Sequence, residues 1–185
     1  MSGMSGIGRC LRVCAGVLSS VALSCGGGNE DRAPDDGSEV VCPGDRWAAN
    51  AEMLQAIVGC TVIAGNLSVT SNLTSVELPL LTRVDGFLTV WSNTLVTRVA
   101  LPRLARVGGY LDVSSNVALT SLELAALESV NERRVPAVYD VLVRDNALPA
   151  CQTDALRDRL LASGFRGTFS ISGVAGSCPT PHDVP

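Results

Sequence analysis

The chain contains no lysine: all 14 of its basic residues are arginine, set against 18 acidic ones. It has one histidine, His182, and aromatic residues make up only 4% of it. Each scarcity excludes something. An acidic chain with a formal net charge of −4 and no basic cluster is not built to hold nucleic acid, nor to adsorb electrostatically to anionic lipid. His182 lies in the proline-rich stretch 179–185 and reads as a solvated tail residue. No glycine-rich phosphate loop and no nucleophile motif is present, so the groups an enzyme must bring together are missing and no cofactor is implied. Hydrophobic residues still reach 46%, so a core forms, and it must be aliphatic.

The first 24 residues read as an export signal. Arg9 and Arg12 give a short positive region, and Val13 to Leu23 is an apolar run of 11 residues, too short to span a bilayer. No other stretch is long and apolar enough for a transmembrane helix. Val21-Ala-Leu-Ser-Cys25, followed by three glycines, resembles the lipobox of bacterial lipoproteins. That resemblance implies acylation of Cys25, with ordinary signal cleavage near the same place as the alternative. Residues 25–41 are Gly-rich and acidic and read as a flexible tether with a reach of about 20 Å.

Seven cysteines are present. Cys10 and Cys14 leave with the signal and Cys25 takes the lipid, so Cys42, Cys60, Cys151 and Cys178 remain. Four cysteines allow three connectivities. The economical pairing is Cys42–Cys60 and Cys151–Cys178, each closing a loop worth about 3 kcal/mol by the loop-entropy model. A zinc site is the rival reading, and the lack of any CxxC pair weakens it.

The strongest signal is an internal repeat. Gly65-Asn-Leu-Ser-Val69, Gly86-Phe-Leu-Thr-Val90 and Gly109-Tyr-Leu-Asp-Val113 align, and each leads to an asparagine: Asn72, Asn93 and Asn116. A degenerate fourth copy, Tyr139-Asp-Val-Leu-Val143, leads to Asn146. A second shared stretch follows the first three, as in Thr97-Arg-Val-Ala-Leu-Pro-Arg-Leu-Ala-Arg-Val107. The period is 23 residues, two fewer in the first turn, and about seven residues are inserted in the last, around 131–138.

Within a turn, Leu88 and Val90 alternate with Thr89 and Trp91, which predicts a half-buried strand. Val99 and Leu101 predict a second strand, and Leu104 and Val107 point inward a third time. Stacking such turns places like residue on like and makes a continuous core. The glycine before each strand is expected to adopt a backbone angle that other residues avoid. Asn72, Asn93, Asn116 and Asn146 form one column, expected to point inward and bond the bends. A helix is predicted near each end: residues 50–58 with Asn50 as N-cap, and 154–163 with Thr153 as cap, Leu156, Leu160 and Leu161 on one face, and Gly164 as terminator.

The cysteine before the first turn, the G-x-L-x-V strand, the asparagine after it and L-P-x-L-x-x-V together resemble the receptor L domain, over roughly residues 42–178. The resemblance implies a mostly β fold: a short right-handed parallel β-helix, or solenoid, of about four leucine-rich turns with a helix capping each end. Ordinary leucine-rich repeats share L-x-V-x-S-N, but their strand-plus-helix turn would lack the second strand. The expected organisation is signal 1–24, tether 25–41, solenoid 42–178 and tail 179–185.

These residues point to a non-enzymatic recognition module on the bacterial cell envelope, monomeric and held to the membrane only by its lipid. Its unidentified partner would be a protein or a glycan at the cell surface. The candidate face is the outward column Thr70, Trp91, Ser114 and Arg144, flanked by Ser68, Thr89 and Asp112. Trp91 is an interface anchor there unless the 131–138 insertion covers it. Arg83, Arg98, Arg103 and Arg106 form a second cluster, read as a solvated mixed-charge face. A passive spacer lipoprotein is the alternative. A β-helical polysaccharide-active enzyme would need clustered carboxylates, and Ala100 separates Glu77 from Glu123.

Overall fold

A computed structural model describes residues 39–70, 72–132, 134 and 136–175. Cys25, Cys178, the signal, most of the tether and the tail lie outside the described residues. The chain opens with β1 (Val41–Pro43), β2 (Arg46–Ala48) and the short helix α1 (Ala51–Gln55). The repeat then gives β3 (Val62–Ala64), β4 (Leu67–Val69) and β5 (Ser75–Glu77), followed by β6 (Arg83–Val84), β7 (Leu88–Trp91) and β8 (Arg98–Ala100). Next come β9 (Arg106–Val107), β10 (Leu111–Ser114), β11 (Ser121–Glu123) and β12 (Ser129–Val130). The last elements are β13 (Val141–Asn146), α2 (Ala150–Ala162) and β14 (Phe169–Val174).

These strands form a parallel β-solenoid of about four turns with three sides. One side is the sheet β1-β3-β6-β9-β12, the second is β14-β13-β10-β7-β4-β2, and the third is β5-β8-β11. The L-x-x-V stretch, expected only to point inward, forms a sheet of its own, so each regular turn has three strands. The third side is what a strand-plus-helix repeat would lack. In the first and last turns α1 and α2 occupy the place in the chain that a third-side strand holds in the others.

The register shows why the repeat specifies this shape. Leu67, Leu88, Leu111 and Val141 are paired in one row, and Val69, Val90, Val113 and Val143 in the next. All eight are buried. Leu78, Leu101 and Leu124 fill a second corner, and Leu81, Leu104 and Leu127 a third. Each such side chain contributes about 2 kcal/mol only once the next turn covers it, so no turn is stable alone.

The glycines before the strands are needed for a different reason from the one expected. Gly65, Gly86 and Gly109 do not have positive φ. A Cβ on Gly86 would lie 2.0 Å from Asn66 Oδ1 and 2.9 Å from the Gly65 carbonyl carbon, and one on Gly65 would lie 2.4 Å from Gly44 C. The turns touch backbone to backbone here, with Gly86 N–H donating to Gly65 O and Gly109 N–H to Gly86 O, both at 2.8 Å. Left-handed backbone falls instead on Ser92, Ser115 and Asp145, the residues before the ladder asparagines, with φ of 55°, 57° and 54°.

The ends also differ in part from expectation. Asn50 does cap α1, accepting from Met53 N–H at 2.9 Å. Thr153, expected to cap α2, lies inside it: the helix starts at Ala150, and the Thr153 hydroxyl donates to Ala150 O at 2.8 Å. Pro149 is the N-cap, in extended backbone and with no side chain to cap the helix. Leu156 and Leu160 are buried while Leu161 is 46% exposed, so the apolar stripe is narrower than expected. Gly164, at φ +89°, ends the helix as expected. Cys42 and Cys60 are disulfide-bonded, joining β1 to the entry of the first regular turn. Cys151 is also disulfide-bonded.

Candidate ligand-binding face

Asparagine recurs at the ends of β7, β10 and β13 because the chain must bend there with its polar groups buried. Asn116 shows how. Its Nδ2 donates to Val90 O at 2.9 Å and to Asn146 Oδ1 at 3.0 Å, while its Oδ1 accepts from Asn93 N and Asn93 Nδ2 at 3.1 and 2.8 Å. Asn93 donates likewise to Val69 O and Asn146 to Val113 O. The ladder runs inside the corner, and its three members are buried. Asn72, expected as the fourth, is exposed instead. It belongs to the turn whose following loop is two residues shorter, and the bend there points its side chain to solvent.

With the asparagines committed to the fold, the outer face of the same sheet carries what the fold does not use. Ser114 pairs in register with Trp91 on one side and Arg144 on the other, and Thr70 follows Val69 beside Trp91. Trp91 is 50% exposed, so the 131–138 insertion leaves it open. The described part of that insertion lines a shallow cleft with residues 163–167 instead. Arg144 is exposed, while Thr70 and Asp112 are half-buried. Ser114 departs from expectation: it is 7% exposed, a small side chain between two long ones. Thr89 is equally buried, its hydroxyl donating to Ser68 Oγ at 3.1 Å, so Ser68 and Thr89 form a flat floor. Asp112 Oδ1 finds no donor within the protein.

Sequence reasoning missed one residue of this face. Trp47 on β2 is 55% exposed and sits in the outward row with Ser68 and Thr89. A signal for it was present: Gly44-Asp-Arg-Trp-Ala48 repeats the spacing of Gly65-Asn-Leu-Ser-Val69, and Gly167-Thr-Phe-Ser-Ile171 does so at the other end. Both copies are too degenerate in their apolar positions to stand out. Gln152 was missed as well. Its Oε1 accepts from Leu122 N–H at 2.8 Å and its Nε2 donates to Thr120 O at 3.2 Å, which closes the open edge of β11.

Of the arginine cluster on the neighbouring sheets, Arg83 and Arg98 are paired with carboxylates at the surface. Arg98 lies 2.7 Å from Glu123 and 3.8 Å from Glu77, so the two carboxylates share one guanidinium. Arg83 Nε lies 2.8 Å from Asp85 but out of line for a hydrogen bond, which makes it an ion contact only. Such exposed pairs contribute under about 1 kcal/mol each. At the corner before β13, burial raises the Asp140 carboxyl, but hydrogen bonds from Thr168 and Asn131 outweigh that and hold it below the ordinary carboxylate value. Burial, with the nearby Asp112 charge, pushes the Tyr110 phenol up. Among the described residues no three His, Cys, Asp or Glu side chains come together as a metal site.

Comparison with known families adds one finding. The family model of the receptor L domain matches residues 59–160, more than half of the chain. No curated protein matches the chain.

Proposed function

The chain belongs to the receptor L domain family, a family of ligand-binding, non-enzymatic modules that in general take protein ligands, and we propose on that premise that it is a recognition module whose ligand surface is the outer face of the six-stranded sheet. The observation that carries this reading is Trp91, a half-exposed indole among hydroxyls on a rigid sheet. The core is almost wholly aliphatic and contains neither tryptophan. Large rings left half in water beside polar groups are the side chains that recognition surfaces use as anchors. Export by the first 24 residues and acylation of Cys25 would display the domain on a bacterial cell envelope, with residues 25–41 as tether.

Two measurements test this. Hydroxyl-radical footprinting on intact cells should find Trp91 protected relative to the purified protein. Equal labelling in both would leave a passive spacer as the better reading. Replacing Cys25 by Ser should release the protein from the membrane fraction, and retention of that variant would sink the anchor.

A further inference from the structure

We infer that Trp47 and Trp91 form a paired stacking platform for an extended neutral glycan, lying across β2, β4 and β7. This rests on the reading of the sheet face given above and names the chemistry of its occupant.

Three observations carry it. The first is placement. Five of the seven aromatic residues are Phe or Tyr, and four of these pair off within the fold, Phe87 with Tyr110 and Phe165 with Phe169, each at 5.0 Å between ring centres. Both tryptophans lie on one face of one sheet, each with about half its surface in water. The second is spacing. Trp47 and Trp91 are separated by two strand steps and by two residues along the strand, which puts their Cα atoms about 12 Å apart. Protein-binding hot spots cluster in a desolvated centre. Here two indoles stand apart at opposite corners of a low floor made by Ser68, Thr70 and Thr89.

The third is charge. On these three strands the outward residues are Trp47, Ser68, Thr70, Thr89 and Trp91, none of them ionisable, whereas the other sheets carry Arg83, Arg98 and Arg106 on their strands. A neutral, hydroxyl-bearing strip with apolar plates at its ends complements a chain of sugar rings. Such rings present apolar C–H faces for the indoles and hydroxyls for the floor. The outward positions of the strip carry no cation for a polyanion; Arg46, on β2, holds the inward register position opposite Leu67. Asp112, the first charge met beyond β7 in the same row as Thr89, adds an acceptor for a sugar hydroxyl.

The test uses the mature protein and the variants Trp47→Ala, Trp91→Ala, Trp47→Phe and Trp91→Phe, each checked for wild-type circular dichroism and melting. Retention is measured on cellulose, chitin and dextran, and on envelope fragments pretreated either with periodate, which cleaves glycan diols, or with protease. The inference expects retention on at least one polysaccharide and on protease-treated fragments, with loss on periodate-treated fragments where the polysaccharide retained is cellulose or dextran, since the internal rings of chitin carry no vicinal diol for periodate to cleave. Each Ala variant should weaken retention roughly tenfold, the scale of one aromatic contact, and each Phe variant should keep most of it. Retention unmoved by either Ala variant overturns the inference. Loss only on protease-treated fragments, with both Ala variants weakened, overturns the glycan but leaves the sheet face as the site of a protein partner. If neither indole is protected on any surface, both readings fall.

Discussion

Along the inner corner of the six-stranded sheet, Asn93, Asn116 and Asn146 repeat one residue with one set of bonds. Along the outer face the same strands carry Trp91, Ser114 and Arg144 in a single row. Both series sit at the same interval in the repeat, yet one is uniform and the other shares nothing. Inside the corner, each side chain must satisfy groups of the turn before and the turn after, and only a primary amide has both the donors and the acceptor. Outside, water satisfies whatever is there, so the residue is free to answer to a ligand.

That contrast can be broken by substitution. Asn116→Ala should have the largest effect, costing about 3 kcal/mol in urea unfolding, because it strands Val90 O and Asn93 N–H in the buried corner. A cost under about 1 kcal/mol would mean water enters the corner and the ladder is not what fixes it. Gly86→Ala should cost about 2 kcal/mol, since its Cβ meets the Gly65 backbone and the Asn66 side chain, and the turns can part only by breaking their strand pairing. Ser115→Gly should act in the opposite sense, raising stability by about 1 kcal/mol by relieving a left-handed non-glycine. Gly173, at φ +60° beside Asp145 in the last turn, shows that glycine fits such a bend. Asn72→Ala should lie within about 0.5 kcal/mol of wild type, as for other exposed sites. An Asn72 effect approaching that of Asn116 would join it to the ladder again.

Acid sharpens the view of the corner before β13. Because hydrogen bonds hold the Asp140 carboxyl below its unfolded value, its contribution is present above the unfolded pKa and lost as pH falls through the folded one. The stability difference between wild type and Asp140→Asn should therefore narrow only on the acid side of the ordinary carboxylate range, as urea midpoints measured from pH 5 downward would show. A difference that stays constant with pH would mean that Asp140 acts by shape alone.

Much of the fold was legible because a solenoid writes its core into the sequence once per turn. Leu88, Val90, Val99, Leu101, Leu104 and Val107 recur at fixed intervals, and burial by the neighbouring turn is the only arrangement that serves all of them. Less of the candidate face was legible. Trp91 stood out inside a regular copy, whereas Trp47 lay in Gly44-Asp-Arg-Trp-Ala48, where Arg46 replaces the expected leucine. An end turn has a neighbour on one side only, so its core position tolerates a long polar side chain and the pattern fades.

The sequence by itself determined the strand register, the three-way inward pattern and three of the four asparagines assigned to the ladder, because each depends on residue type at a repeated position. Only the tertiary structure decided what depends on neighbouring turns. The strand-leading glycines are demanded by backbone contact between turns and not by their own angles. Asn72, in the first regular turn, leaves the column and faces solvent. Two tryptophans 44 positions apart in the chain share one face because stacking sets β2 and β7 on either side of β4. Local chemistry chooses each residue's partner type, but stacking alone decides which residues meet.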